Sequence, residues 1–500
     1  MSSTTDVTCL QSQHPARQSA VDWLMGRVNY ERIEIPYNER QLKLDRMRQL
    51  LTRLGQPDAG MKIVHVAGTK GKGSTAAMIA GMLTAAGFRT GLFTSPHLER
   101  IEERFAVDGQ PCSAAELVAL VDRVGPVVTV MDGEADAHIA GPSWSGRDAV
   151  PPDQDGRAMC PTFFEIVTAI ALLHFVERQV DAAVLEVGLG GRLDSTNVCL
   201  PAVSVITSIS FDHTKQLGST LAAIAHEKAG IIKPGVPVVS GVTDSEPQTV
   251  IAQAAREHGC RLIQLGRDFD FDYVSGDFGF RIADCGLKSG QTELNDIHLA
   301  MHGRHQAANA AVALAAVLEL RRQGWCISTE AMRAGLAQTV VPARVEIISG
   351  RPDVVLDVAH NRASARALVE ALAELPPPSR RTLILSISRD KDVRAIVAEL
   401  VPHFDRVIIT QYQENPRAVP AEELAAIVHE LWEASPTKLW EASPTPIPRS
   451  PDVAIHRVPA EAWAYARQTA QPAERVCIAG SFFLAAEMRP LVTATLTDQN

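Results

Sequence analysis

Val64-His65-Val66-Ala67-Gly68-Thr69-Lys70-Gly71-Lys72-Gly73-Ser74-Thr75 is the stretch on which the fold turns. The apolar run before it, Met61 to Ala67, predicts a buried strand, and Thr75 to Ala86 follows with helical periodicity. Strand, glycine-rich loop and helix in that order describe a phosphate-binding loop. Gly68, Gly71 and Gly73 let backbone N–H groups turn toward an anion, and the start of the helix adds the positive end of its dipole. Lys72 reaches terminal phosphates, and the Ser74 hydroxyl suits Mg²⁺. The spelling departs from G-x-x-x-x-G-K-[ST], because Val66 takes the first glycine position and Gly73 separates Lys72 from Ser74. The expected ligand is a nucleoside triphosphate.

At 500 residues the chain exceeds one core of ordinary size, so two domains are expected. A formal charge of −10 argues against nucleic acid as the main partner and supplies no basic tail for a membrane surface. Cys9, Cys112, Cys160, Cys199, Cys260, Cys285, Cys326 and Cys477 show no C-x-x-C spacing, which suits reduced thiols of a cytoplasmic protein. The first residues are polar, and no apolar run approaches the ~18 residues of a membrane span.

Ala20 to Leu54 predicts covering helices broken near Pro36. Strands are expected at Thr90–Phe93, Ala182–Val187 and Ala202–Ile209, with helices at Glu116–Val124, Thr162–Arg178 and Ser219–Gly230. Asp132 to Pro161, rich in Gly, Pro, Asp and Ser, reads as a surface loop or disordered insert. Alternation around Gly276 predicts a hairpin, and a long helix covers Ala307–Arg322. A fresh α/β series follows Pro342, with strands near Val354, Leu383, Val407 and Val476, so domains of 1–342 and 343–500 are expected. The segment Leu431–Thr437 recurs at Leu439–Thr445, a tandem duplication read as a loop expansion. Strands alternating with helices give an α/β class with mostly parallel sheets, and the polar clusters fall at strand C-termini, where such sheets bind ligands.

With the loop, T-S-P-H-L (94–98), E-V-G-L-G-G-R-L-D-S-T-N-V (186–198), D-H-T (212–214), E-K-A-G-I-I-K-P-G (227–235), G-R-H-Q-A-A-N-A (303–310), P-A-R-V-E (342–346), D-V-A-H-N (357–361), D-K-D (390–392) and A-G-S-F-F-L (479–484) all in order, the chain resembles the folylpolyglutamate synthase/dihydrofolate synthase branch of the Mur ligase superfamily. The resemblance spans Ala20 to Met488. It implies a P-loop-containing N-terminal Mur-ligase-like domain and a smaller Rossmann-like α/β C-terminal domain. The implied reaction is ATP-dependent addition of L-glutamate to folate or dihydropteroate, with release of ADP and phosphate.

The resemblance also implies roles. Gly68, Thr69, Gly71, Lys72, Gly73, Ser74 and Thr75, with Asn309, Arg344, Asp357 and His360, would bind the nucleotide. Ser74 and Glu165 would hold one Mg²⁺, and His213 with a carbamylated Lys228 a second, with room for K⁺. Ser95, Pro96, His97, Arg192 and Asp194 would meet the substrate, and Lys72, Lys228 and His360 would act in catalysis. A site divided between two domains would close during turnover. The resemblance further implies a monomer acting on small molecules. Ordinary alternatives stand beside these roles. Glu165 after Thr162 is also a capping box, His213 a turn histidine, Lys228 a solvated helix lysine, Arg344 a surface cation and Asp357 an N-cap. Two departures mark the chain: Lys70 stands where the family usually has Asn, and Val358 where it usually has Gly. The competing functions are a peptidoglycan-precursor Mur ligase, which the 94–98 and 186–198 runs disfavour, and a nucleotide switch, for which no N-K-x-D is present.

Overall fold

The five residues before the loop form β1 (Ile63–Ala67), buried along its whole length as a strand covered on both faces must be. A computed structural model of the chain describes residues 15–31, 44–140, 160–274, 277–282, 292–434 and 452–497. β1 lies inside an eight-stranded sheet with β2 (Thr90–Phe93), β3 (Phe105–Val107), β4 (Gln110–Pro111), β5 (Ala182–Glu186), β6 (Val203–Ile206), β7 (Val238–Ser240) and β8 (Leu262–Gln264), in the order β4-β3-β2-β5-β1-β6-β7-β8. Strands β2, β5, β1, β6, β7 and β8 run parallel, and β3 and β4 add an antiparallel edge. In register, Val66 faces Glu186 on β5 and Ala67 faces Ile206 on β6. The loop therefore emerges between the C-terminal ends of two neighbouring strands.

One face of this sheet is packed by helices Pro15–Met25, Leu44–Arg53, Ala114–Ala140 and Phe163–Glu177, whose Leu24, Met47, Leu117 and Ile166 join Phe93, Phe105 and Leu185 in one core. Across the sheet, Ile224 of the helix Leu221–Ala229 and Ile251 of the helix Ser245–Glu257 pack with Ile206 and Val238. The helix Lys72–Ala85 receives the helix Thr329–Gln338 so closely that a Cβ on Gly335 would stand 2.5 Å from the Met82 backbone.

The expected loop at 132–161 is corrected in its first part, since the helix from Ala114 continues to Ala140 with Pro126 inside it. Apolar spacing decides this over composition. Leu117, Leu120, Val124, Val128 and Met131 keep one buried stripe, and Arg27 grips Asp132 at 2.7 and 2.8 Å. Residues 141–159, the break near Pro36, the Gly276 turn and the duplication beyond Ala434 lie outside the described residues. The strands expected around Gly276 are present as β9 (Phe269–Val274) and β10 (Asp277–Ile282), joined by β11 (Thr292–Ile297) in the order β11-β10-β9.

The chain divides into two compact units, Met1–Asp272 with Gly279–His298 and Ala308–Gln338, and Tyr273–Phe278 with Leu299–Ala307 and Thr339–Asn500. The second is built on a six-stranded sheet of β12 (Glu346–Ile348), β13 (Asp353–Leu356), β14 (Arg381–Leu385), β15 (Arg406–Ile409), β16 (Asp452–Ile455) and β17 (Arg475–Ala479), ordered β12-β13-β17-β14-β15-β16. All its pairs are parallel except β12 with β13. Helices Arg362–Glu374, Val393–Leu400 and Ala421–Ala434 cover one face through Leu368, Ile396 and Leu424. Among the described residues no helix is long and apolar enough to cross a membrane.

Candidate nucleotide and metal site

The loop is shaped by neighbours that leave no room for side chains. Gly71 precedes the helix Lys72–Ala85 at φ 80°, and a Cβ there would fall 2.1 Å from Asn309 Oδ1. A Cβ on Gly68 would fall 1.9 Å from Thr207 Oγ1. The residues after β6 brace the loop: Thr69 N donates to Ser208 O at 2.8 Å, Lys70 N to Ser208 Oγ at 3.0 Å, and Thr207 Oγ1 to Lys70 O at 2.6 Å. Thr69 Oγ1 accepts Ser210 N at 3.1 Å, so this hydroxyl holds the loop together. Ser74 and Thr75 are buried in the first helical turn, Lys72 and Gly73 are half-buried, and Lys70 Nζ lies 3.8 Å from Asp212 Oδ2.

Two carboxylates behave differently. Glu165 caps its helix, accepting Thr162 N at 2.7 Å and Thr162 Oγ1 at 2.8 Å, and pairs with buried Arg46 Nε at 2.8 and 2.9 Å. None of these donors belongs to the loop. Glu186 ends β5 beside it: Ser95 N donates to Glu186 Oε2 at 3.1 Å, and a Cβ on Gly73 would stand 3.4 Å from the same oxygen. In the sequence Glu186 stands inside the expected strand Ala182–Val187 and at the head of the 186–198 run, with no role assigned to it. Its signal was a lone charge closing an apolar run before a glycine turn, where a buried carboxylate needs a partner.

Lys228 lies near the end of the helix Leu221–Ala229, buried, with Nζ donating to Gly68 O at 2.8 Å. Burial first, then the positive charge of Lys72, pushes its pKa down to about 7, while Asp212 and Asp194 pull the other way. His213 has φ 48° and a half-exposed ring, Nε2 being 3.9 Å from Asp212 Oδ1.

On the turn after β5, Asp194 is buried and accepts Leu189 N at 3.0 Å, Thr196 N at 3.0 Å and Thr196 Oγ1 at 2.5 Å, while burial raises its pKa. Thr196 Oγ1 in turn meets His65 Nε2 at 2.8 Å, and burial pushes His65 down to about 3. Arg192 pairs with Glu227 at 3.0 Å. In the T-S-P-H-L run, Pro96 is exposed after a cis Ser95–Pro96 peptide, and His97 Nδ1 accepts Arg104 Nε at 2.8 Å. Arg104, fully buried, also holds Glu31 through both terminal nitrogens at 2.8 Å. Nothing local in the sequence distinguished Arg104 from a surface arginine.

In the second unit, Asp357 follows β13, accepting Val345 N and Ala359 N at 2.8 Å each. Burial raises its pKa and Arg344 opposes that. Arg344 is half-buried between Ala343 and Val345, both at positive φ, and His360 is half-buried just before Asn361, the cap of the helix Arg362–Glu374. Val358 is buried, its N donating to Ala343 O at 3.2 Å.

Among the described residues no three His, Cys, Asp or Glu side chains cluster as a metal site. A nucleotide-bound Mg²⁺ takes most of its ligands from phosphates and water, so the Ser74 hydroxyl and the Glu186 carboxylate beside the first helical turn fit such an ion.

Residues 155–317 match the Mur ligase middle domain, and residues 343–482 match the Mur ligase, glutamate ligase domain. The chain is 35% identical over 427 residues to a dihydrofolate synthase/folylpolyglutamate synthase of Bacillus subtilis, covering 84% of this chain and 91% of the relative. Among solved structures, Mycobacterium tuberculosis folylpolyglutamate synthase complexed with ADP gives a TM-score of 0.78 at 31% identity, with 95% of this chain and 98% of that one covered. A bifunctional folylpolyglutamate synthase/dihydrofolate synthase with Mn, AMPPNP and L-glutamate bound gives 0.72 at 29%, covering 95% and 98%. With a phosphate loop braced on a parallel sheet and likeness running through both units, this chain belongs to the dihydrofolate synthase/folylpolyglutamate synthase family of the Mur ligase superfamily.

Proposed function

We infer that the chain is an ADP-forming ligase that joins L-glutamate to a folate carboxylate, and to dihydropteroate as well. The observation that carries the reading is the convergence of Glu186 and buried Lys228 on the braced phosphate loop, in a chain whose relatives are glutamate ligases of this kind. A carboxylate is a poor electrophile. Transfer of the ATP γ-phosphoryl group to it gives an acyl phosphate, which the glutamate amine attacks, and the tetrahedral intermediate expels phosphate.

Lys72 and the loop N–H groups neutralise charge on the transferring phosphoryl group. Ser74 and Glu186, the latter in place of Glu165, would hold the nucleotide Mg²⁺, which would supply Lewis-acid stabilisation of phosphate oxygens. His213 and a carbamylated Lys228 would serve a second Mg²⁺. With its pKa near 7, Lys228 offers the neutral amine that CO₂ requires. The lone pair of the neutral amine forms a bond to the CO₂ carbon, one C=O pair moves onto oxygen, and the proton released from nitrogen passes to water, so that the amine becomes a carbamate, a carboxylate-like anion.

Asn309, packed against Gly71, is assigned to the adenine, Asp357 to the ribose, and Arg344 and His360 to the phosphates. Ser95, Pro96, His97, Arg192 and Asp194 are assigned to the pteroate side, with Asp194 and Arg192 shaping the turn through the partners described above. The enzyme is read as a cytoplasmic monomer, and sedimentation of the purified chain tests its size. The deciding assay offers ATP and labelled glutamate with dihydropteroate and tetrahydrofolate in parallel. Label in a folate product with matching phosphate release is expected, and release without incorporation into either acceptor sinks the ligase reading.

A further inference from the structure

The glycine turn after β5 and the end of the helix Leu221–Ala229 meet through their backbones. A Cβ on Gly191 would lie 2.9 Å from Glu227 O and 3.0 Å from Lys228 O, and one on Gly230 would lie 2.3 Å from the Arg192 Cβ. Arg192 N donates to Glu227 O at 2.8 Å. Asn197 closes this joint. Buried at 4% exposure, it donates through Nδ2 to Arg192 O at 2.9 Å and to Gly230 O at 3.0 Å, one carbonyl on each side. Its main-chain carbonyl accepts Lys233 Nζ at 2.9 Å.

Two carbonyl acceptors settle which end of the amide faces the joint, since only the NH₂ group donates twice. The consequence is that Asn197 Oδ1 is buried without a partner among the described residues, an arrangement that opposes folding. The side chain thus leaves an acceptor unmet while it holds the turn to the helix end. Lys228 is two residues before Gly230, and its Nζ sits at hydrogen-bond distance from Gly68 O at the start of the phosphate loop. A displacement of about 1 Å at the helix end breaks that contact.

We propose that Asn197 is a positioning residue for Lys228: its amide locks the end of the helix Leu221–Ala229 against the glycine turn and so sets where the Lys228 nitrogen stands beside the phosphate loop. The proposal rests on Lys228 being the amine that takes up CO₂ in the function inferred above. Asn197 is not among the residues assigned above to nucleotide or acceptor.

The test compares wild type, Asn197→Asp, Asn197→Ser and Lys228→Ala. Asn197→Asp turns oxygens toward both carbonyls, whereas Asn197→Ser keeps one donor. Turnover is expected to fall about 100-fold in Asn197→Asp, with partial retention in Asn197→Ser and KM for ATP within about twofold, because the loop glycines and their braces are untouched. In ¹³CO₂-equilibrated protein, the carbamate ¹³C signal that Lys228→Ala abolishes is expected to weaken in step with turnover. A purely structural Asn197 would lower the unfolding midpoint while the folded protein kept its turnover and its carbamate signal, and that result overturns the proposal. If Asn197→Asp does not fold, Asn197→Ser decides by the same two readouts. If Lys228→Ala keeps full activity, the Lys228 reading fails and the positioning role falls with it. If Lys228→Ala is inactive while both Asn197 variants behave as wild type, the positioning role alone is refuted.

Discussion

At Gly71 a methyl group would occupy space already taken by the Asn309 amide, at a backbone φ of 80° that costs a side chain roughly 1 kcal/mol even in open space. Gly71→Ala is therefore expected to weaken ATP binding at least tenfold by calorimetry. Unchanged affinity in Gly71→Ala would mean that the loop does not carry the nucleotide. Lys72 and Lys228 separate by a different measurement. Lys72→Ala should lower turnover by orders of magnitude with the fold intact. Lys228→Ala should also be folded and almost inactive, but acetate should restore part of its turnover by returning a carboxylate to the space beside Gly68. Acetate rescue of Lys72→Ala, or none of Lys228→Ala, would contradict the two assignments.

Among elements, the helix Phe163–Glu177 and the strand β5 each bring a buried carboxylate, and their partners give them different work. Glu165 neutralises Arg46 and caps its own helix. Glu165→Ala takes the carboxylate away from a buried guanidinium and uncaps the helix, so a loss of about 3–5 kcal/mol is expected in urea unfolding, with little change in the Mg²⁺ dependence of whatever protein folds. Glu186→Gln keeps the size of its side chain and an oxygen that can accept the Ser95 N–H. It should unfold close to wild type yet need several-fold more Mg²⁺ for half-maximal rate. The opposite pattern would return the metal role to Glu165.

At the scale of the whole molecule, buried bases make stability depend on pH. His65 titrates near its ordinary 6.5 when unfolded and only at about 3 when folded. Between those values the unfolded chain binds a proton that the native one refuses. The unfolding free energy should therefore fall as pH drops through that window, by on the order of 4–5 kcal/mol at its lower end. While Lys228 is the free amine its window runs from about 7 up to 10.5, and stability should rise with pH across it. Urea unfolding of wild type and His65→Gln from pH 3 to 8 isolates the first effect, and identical acid limbs would remove His65 as its source. Much of this architecture was legible from local pattern. The strand, loop and helix around Gly68, the alternation that predicts parallel sheets in both units and the ordered motifs are all carried by residues a few positions apart, where periodicity and backbone preference act. Even the overlong helix Ala114–Ala140 kept a readable apolar stripe, though composition drew the eye to a loop. What the chain by itself did not determine is which polar groups end up buried together. Ser95 finds Glu186 across 91 residues, Arg46 finds Glu165 across 119, and Lys228 finds Gly68 O across 160. A carboxylate or an amine takes its role from the partners and the dielectric that packing places around it, and those are set only once distant strands and helices have come together.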